Sequence, residues 1–200
     1  MRMNVLDFRA DNVLEYITGM ATKVKFTYED YLLTEEGKHY ELIDGDLLLT
    51  PAPNISHHDS AKELFTLLLE RLEKKGLGKV FIAPVDVVFS ETDVVQPDLL
   101  FISKDRLSIV TKKNIQGAPD LIIEILSPES EKRDRVLKRK LYHRNGVKEY
   151  WLVDTESKTI EVLTLSDGDY KTHAVVSENS TLTSPAFPTL SFSLKTVFPE

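Results

Sequence analysis

Apolar and polar residues alternate in short bursts along most of this chain, separated by turn residues rather than long loops. "TYEDYLLTEEG" (27–37) opens with a Thr27/Asp30 capping-box pattern and predicts a helix, with Gly37 as its stop. "HYELIDGDLLLTPAP" (39–53) carries two apolar runs about Asp44-Gly45, a dipeptide that tolerates positive φ, and predicts a β-hairpin. "SHHDSAKELFTLLLERLEKKG" (56–76) has leucines at helical spacing and predicts the longest helix, capped by Ser56 with Asp59 and closed by Gly76.

Three β-rich runs follow, "KVFIAPV", "DVVFS" and "VVQPDLLFIS", then a short helix around "KDRLSIV". "DLIIEIL" (120–126) is apolar at nearly every position, the pattern of a strand covered on both faces. Pro128 then blocks strand pairing, and a helix runs through "SEKRDRVLKRKLYHRNG" to Gly146. "VKEYWLVD", "TIEVLTL" and "YKTHAVV" predict three further strands, the last two joined at Asp167-Gly168. The tail "FPTLSFSLKTVF" is apolar enough to dock on the body. Strands dominate and helices punctuate, so the fold class is α/β or α+β with a mixed central sheet flanked by helices. Residues 1–22 form a weakly periodic N-terminal extension with Met20 an alternative start, and residues 23–200 form one domain.

Composition narrows the function classes. The chain has 200 residues and no cysteine, which excludes disulfides, thiolate zinc sites and cysteine nucleophiles. No apolar run approaches the ~18–20 residues of a membrane span, and the N-terminus lacks a secretory h-region, so cytoplasmic residence is expected. A net charge of −7 disfavours nonspecific coating of nucleic acid. One segment departs from that balance: "KRDRVLKRK" (132–140) holds six Lys or Arg against one acid. It suits a local phosphate contact, although a solvated helix face is the commoner role of such a run.

Three acids stand on apolar strands where nothing in the local pattern asks for charge: Glu41, Asp98 and Glu124. A buried carboxylate without a partner costs several kcal/mol, roughly, or neutralises itself through its pKa. Each therefore faces either an Arg or Lys, or a polar site that needs a carboxylate. A hard cation such as Mg²⁺ takes a few oxygen ligands from rigid elements and keeps several waters, a geometry that carboxylates on neighbouring strands supply.

An acid, then Pro-Asp, then Glu on the next buried strand is the order found in the PD-(D/E)XK nucleases. The phrases "YELIDGDLLLTPAP", "HHDSAKEL", "VVQPDLLFI", "EILSPES" and "KRKLYHRNGVKEYWLVD" closely resemble the Uma-two family of restriction endonucleases in that superfamily, over roughly residues 24–198. The resemblance implies a restriction-endonuclease-like core, a divalent cofactor (Mg²⁺ or Mn²⁺) and cleavage of DNA phosphodiesters. It matches Asp98 and Glu124 to the metal-binding carboxylates and Glu41 to the acid that precedes them. The position of the superfamily's lysine, two residues after Glu124, is occupied by Leu126. The resemblance moves the lysine to the following helix at Lys138, which shares a helix face with Asp134 and Tyr142; Lys140 is its nearest rival.

A metal on Asp98 and Glu124 would activate water, and a lysine beside it would stabilise transition-state charge. Lost catalysis, leaving a nucleic-acid-binding or protein-interaction module, is the alternative that Leu126 raises. A carboxylate-pair glycosidase is a third reading that needs no metal, and the Pro-Asp context argues against it. His57, in the first helical turn, could touch phosphate or the attacking water but is read first as part-exposed and idle. Ser127 could bond a phosphate but is read first as a helix cap. Gln96 satisfies a strand end or serves the site beside Asp98, and Trp151 is read as core. A homodimer is expected, since cutting both strands of a duplex calls for two sites.

Overall fold

The structure, a computed structural model, describes residues 24–35 and 37–198. The extension predicted over residues 1–22 lies outside the described residues. A six-stranded mixed sheet organises the molecule, with strand order β11-β10-β9-β8-β6-β3. Its members are β3 (Gly78–Ile82), β6 (Leu99–Ser103), β8 (Leu121–Ile125), β9 (Glu149–Asp154), β10 (Thr159–Thr164) and β11 (Lys171–Ser177). Only β8 and β9 pair in parallel there; the other neighbours are antiparallel. A second sheet has the order β2-β1-β5-β4-β7, from β1 (Tyr40–Ile43), β2 (Asp46–Leu49), β4 (Val87–Ser90), β5 (Asp93–Val95) and β7 (Ile115–Gln116).

The apolar run of β8 follows from cover on both faces. Leu121, Ile123 and Ile125 join a core with Ala61, Leu64 and Leu68 of helix α2 (Ile55–Leu68) and with Leu190, Phe192 and Val197 of the tail. Ile122 and Leu126 point the other way, into a core shared with Ile43, Val87 and Val95 of the second sheet. The period of two puts Glu124 on this second side, in the layer between the sheets. Strand β6 repeats the pattern: Leu99 and Phe101 face α2, Leu100 and Ile102 face the second sheet, and Asp98 continues the latter set.

Most predicted elements are present, with informative differences. The hairpin turns at Asp44 (φ 50°) and Gly45 (φ 74°), as the dipeptide requires. The Thr27/Asp30 capping box opens helix α1 (Tyr28–Tyr31), which stops well before Gly37. Helix α2 is capped by Asn54, whose side chain accepts from His57 N, rather than by Ser56; Ser56 instead donates to Asn54 Oδ1. "VVQPDLLFIS" is not one strand. Pro97 lacks an N–H, and the chain there leaves β5 of one sheet and enters β6 of the other. "KDRLSIV" forms a 3₁₀ segment (Lys104–Ile109). The helix after β8 contains a π-helical turn (Arg133–Lys138) before its α-helical end, α3 (Arg139–Arg144). The tail adds strands β12 (Thr181–Thr183) and β13 (Ser191–Ser193) to its apolar docking. Trp151 is fully buried core, as predicted, its indole N–H donated to Glu149 Oε1.

Candidate active site

Extending the β6–β8 register (Leu99 opposite Ile123) sets Asp98 across from Glu124. The two acids therefore lie side by side where the gap between the sheets opens to the surface, and both line a cavity of about 330 Å³. Asp98 Oδ2 accepts from Ile125 N at 2.7 Å and lies 3.1 Å from His57 Nε2. Glu124 Oε1 accepts from Tyr142 OH at 2.5 Å and from Lys138 Nζ at 3.0 Å. Both sets of contacts fall on a single oxygen of each carboxylate. Asp98 Oδ1 and Glu124 Oε2 have no protein partner among the described residues.

Glu41 reaches the same cluster from β1 of the second sheet, 1% exposed. Its Oε1 lies 2.7 Å from Lys138 Nζ and accepts from Gln96 N at 3.1 Å; Arg133 Nε stands 3.4 Å from its Oε2. Lys138 thus bridges carboxylates of two sheets, with Asp134 Oδ1 a further 3.5 Å contact. Behind Glu41, the Gln96 amide donates to Asp86 Oδ1 and Tyr31 OH, and Tyr31 OH donates to Asp86, a brace that fixes the β5–β6 crossover.

The electrostatics reflect burial of many like charges. Burial alone pulls the Lys138 pKa down, but Glu124, Glu41 and Asp134 more than offset it, so the ammonium is held protonated well above its ordinary range. Glu124 is pushed well up, first by burial and then by Asp134, Asp98 and Glu41, with Lys138 opposing. Asp134 is raised for the same first reason. Burial and the neighbouring Glu124 push the Tyr142 phenol up, so it remains a donor. Four carboxyl groups (Glu41, Asp98, Glu124, Asp134) meet two Lys or Arg cations (Lys138, Arg133), so acids outnumber these cations in the cluster. Without further positive charge this cluster takes up protons.

These features fit a divalent cation, which the fold family implies. Two unengaged carboxylate oxygens on adjacent strands border the cavity. Among the described residues no three His, Asp or Glu side chains form a ready ligand set, and Glu41 is held by Lys138 and Arg133. A hard ion that keeps most of its waters needs no more than the Asp98–Glu124 pair.

Sequence reasoning singled out Glu41, Asp98, Glu124 and Lys138, and the fold brings all four together. Lys140, the rival to Lys138, has no contact with the cluster. His57 departs from its idle reading: its side chain is 13% exposed and paired with Asp98. Ser127 caps, as read, exchanging backbone-to-hydroxyl bonds with Ser130. Asp134 joins the cluster from the helix face it was predicted to share with Lys138, whereas Arg133 was hidden in the basic run.

This α+β architecture, with carboxylates converging from two mixed sheets, is nuclease-like. The family model Uma2, described as "Putative restriction endonuclease", matches residues 27–195, and the chain belongs to that family. Among solved structures, a "putative nuclease belonging to DUF820" from Anabaena variabilis superposes with a TM-score of 0.72 at 22% identity, covering 86% of this chain and 97% of the other. The type IIG restriction endonuclease BpuSI gives a TM-score of 0.39 at 14% identity over 62% of this chain and 14% of its own, too low a likeness to argue from. No curated protein matches the chain.

Proposed function

We propose that this protein is a divalent-metal-dependent endonuclease acting on DNA phosphodiesters, with Asp98 and Glu124 as the metal-binding pair and Lys138 and Glu41 completing the catalytic group. The observation that carries it is the pair of unengaged oxygens, Asp98 Oδ1 and Glu124 Oε2, on adjacent strands of a cavity that is short of positive charge. Bound Mg²⁺ or Mn²⁺ would act as a Lewis acid on a phosphate oxygen and lower the pKa of its water. Lys138, held protonated, places a fixed positive charge where negative charge develops on the phosphate. Glu41 orients that ammonium from the second sheet, and Tyr142 turns Glu124 so that Oε2 is left for the ion. His57 and Ile125 N do the same for Asp98.

Two copies of the chain would bring one site to each strand of a duplex, and a sedimentation experiment at micromolar protein checks for that homodimer. Among the described residues no helix is long and apolar enough to cross a membrane. A second reading, a nucleic-acid-binding module without catalysis, is favoured by one observation: the Lys138 ammonium is already engaged by Glu41, Glu124 and Asp134. Nicking of supercoiled plasmid separates the two. Cleavage in Mg²⁺ or Mn²⁺ that stops with EDTA supports the enzyme; binding with no cleavage under any divalent ion supports the module.

A further inference from the structure

Five buried side-chain atoms among the described residues lack a hydrogen-bond partner: Glu41 Oε2, Thr50 Oγ1, His57 Nδ1, Arg133 Nε and Asp134 Oδ1. All belong to the active-site cluster or border its cavity. Buried polar atoms are nearly always satisfied, so a concentration of orphans in one place marks where a ligand belongs. The two carboxylate oxygens face cations at long range, Glu41 Oε2 at 3.4 Å from Arg133 Nε and Asp134 Oδ1 at 3.5 Å from Lys138 Nζ. Arg133 and Thr50 are different, because they offer donors. Arg133 uses its guanidinium sparingly, with one long bond from Nη1 to Leu49 O (3.4 Å) and the loose Glu41 contact. Leu49 directly precedes Thr50, and Thr50 and Arg133 both line the cavity. An oxyanion is the acceptor that suits both.

Two stretches of the wall have the opposite character. Pro51, Ala52 and Pro53 on one side and Ile82, Ala83 and Pro84 on the other present apolar surface to the cavity within reach of the acids. A continuous duplex offers phosphates and sugars to a protein while its bases stay stacked and paired inside. It cannot fill an apolar recess beside the scissile phosphate. A base taken out of the stack can, and its aromatic face binds apolar walls without regard to sequence. The cavity volume, about 330 Å³, is at the small end of the range of small-ligand sites and fits one such unit.

We propose that the cavity is a single-nucleotide subsite, with Arg133 and Thr50 on a phosphate and the Pro51–Pro53 and Ile82–Pro84 walls on an unpaired base and sugar. The enzyme then acts where a nucleotide is displaced from the helix, in a bulge, a flap or a single strand. This deepens the nuclease reading and rests on it for the identity of the ligand.

The test measures binding and cleavage separately on the full-length protein, with three fluorescent DNA oligonucleotides of equal length. One is a continuous duplex, one a duplex with a single bulged nucleotide, and one a single strand. In Ca²⁺ the anisotropy titrations are expected to show about tenfold tighter binding of the bulged and single-stranded DNA than of the duplex. Ala52→Trp, at an exposed loop position, fills the recess and removes that preference, with cooperative thermal unfolding as the check on its fold. Thr50→Val weakens all three alike. In Mg²⁺ the cleavage rates follow the same order. Equal affinity for the three oligonucleotides, or a preference that survives Ala52→Trp, overturns the subsite even if the duplex is cut. Discrimination without cleavage leaves the subsite standing and removes the nuclease reading.

Discussion

Arg133 and Lys138 stand five residues apart and approach opposite oxygens of one carboxylate, Glu41. In an α-helix residues five apart diverge by about 140°, since each advances about 100°. The π-helical turn over Arg133–Lys138 closes i→i+5 hydrogen bonds, which stacks such residues on one face. The turn therefore lets one helix address Glu41 with two cations while Lys138 still reaches Glu124. The irregular turn lies at the candidate site, and π-bulges are frequent at functional sites.

The two cations differ in weight. Lys138→Met leaves Glu41, Glu124 and Asp134 buried without their shared counter-ion and is expected to cost about 3–5 kcal/mol in metal-free buffer. Arg133→Gln should cost about 1 kcal/mol, because its Glu41 contact is long. Chemical denaturation checks both. Added Mg²⁺ should recover part of the Lys138→Met loss, and identical loss with and without the ion would disconnect Lys138 from the metal site.

Asp120 supplies a test of folding away from the cavity. Its buried carboxylate meets Lys148 Nζ at 2.7 Å, Arg106 Nη1 at 2.9 Å and Ser103 N at 2.9 Å. Burial pushes its pKa up, yet these bonds together prevail and hold it below the ordinary 3.8. A depressed folded-state pKa means stability that is present above the unfolded value and lost as pH falls through the folded one. Asp120→Asn should therefore cost about 2 kcal/mol at neutral pH. The gap to the parent should close as pH drops below about 3.8. Urea melts at several pH values measure it; a gap independent of pH would remove the charge from the explanation.

Gly78, the first residue of β3, has no room for a side chain. A Cβ there would lie 2.1 Å from Ile102 O and 2.7 Å from the Phe101 ring. Since the obstacle is backbone of the paired strand β6, relief requires moving the strand that positions Asp98. Gly78→Ala should destabilise the protein by roughly 2–3 kcal/mol, read from its thermal unfolding. Its plasmid nicking should fall more than stability alone explains.

Much of this was legible in the chain because charge on an apolar strand is conspicuous. Glu41, Asp98 and Glu124 stand out against Leu and Ile neighbours, and the helical spacing of Asp134, Lys138 and Tyr142 pointed to one face. Arg133 was masked, since in a run of six cations each looks solvated. His57 was misread because its partner Asp98 is distant in sequence, and local pattern carries no information on such pairs. The same is true of the Tyr31–Asp86–Gln96 brace, which joins residues 55 and 65 positions apart. The exchange of strands between sheets at Pro97 was likewise invisible, since a proline ends a strand without saying where the next one pairs. Leu126 reads as a missing catalytic lysine in sequence; in space it packs with Ile122 and Tyr150 while Lys138 occupies the polar position beside Glu124.

If Asp98 and Glu124 hold an ion that makes this chain a nuclease, ion binding and cleavage must be lost together. Mn²⁺ binding by calorimetry and Mn²⁺-supported plasmid nicking are followed together for the parent, Asp98→Asn and Glu124→Gln. One weak Mn²⁺ site and nicking are expected in the parent, and loss of both in each variant while thermal unfolding stays cooperative. Nicking by Asp98→Asn at the parent's rate, or a parent that binds Mn²⁺ equally well with either acid neutralised, would contradict that expectation.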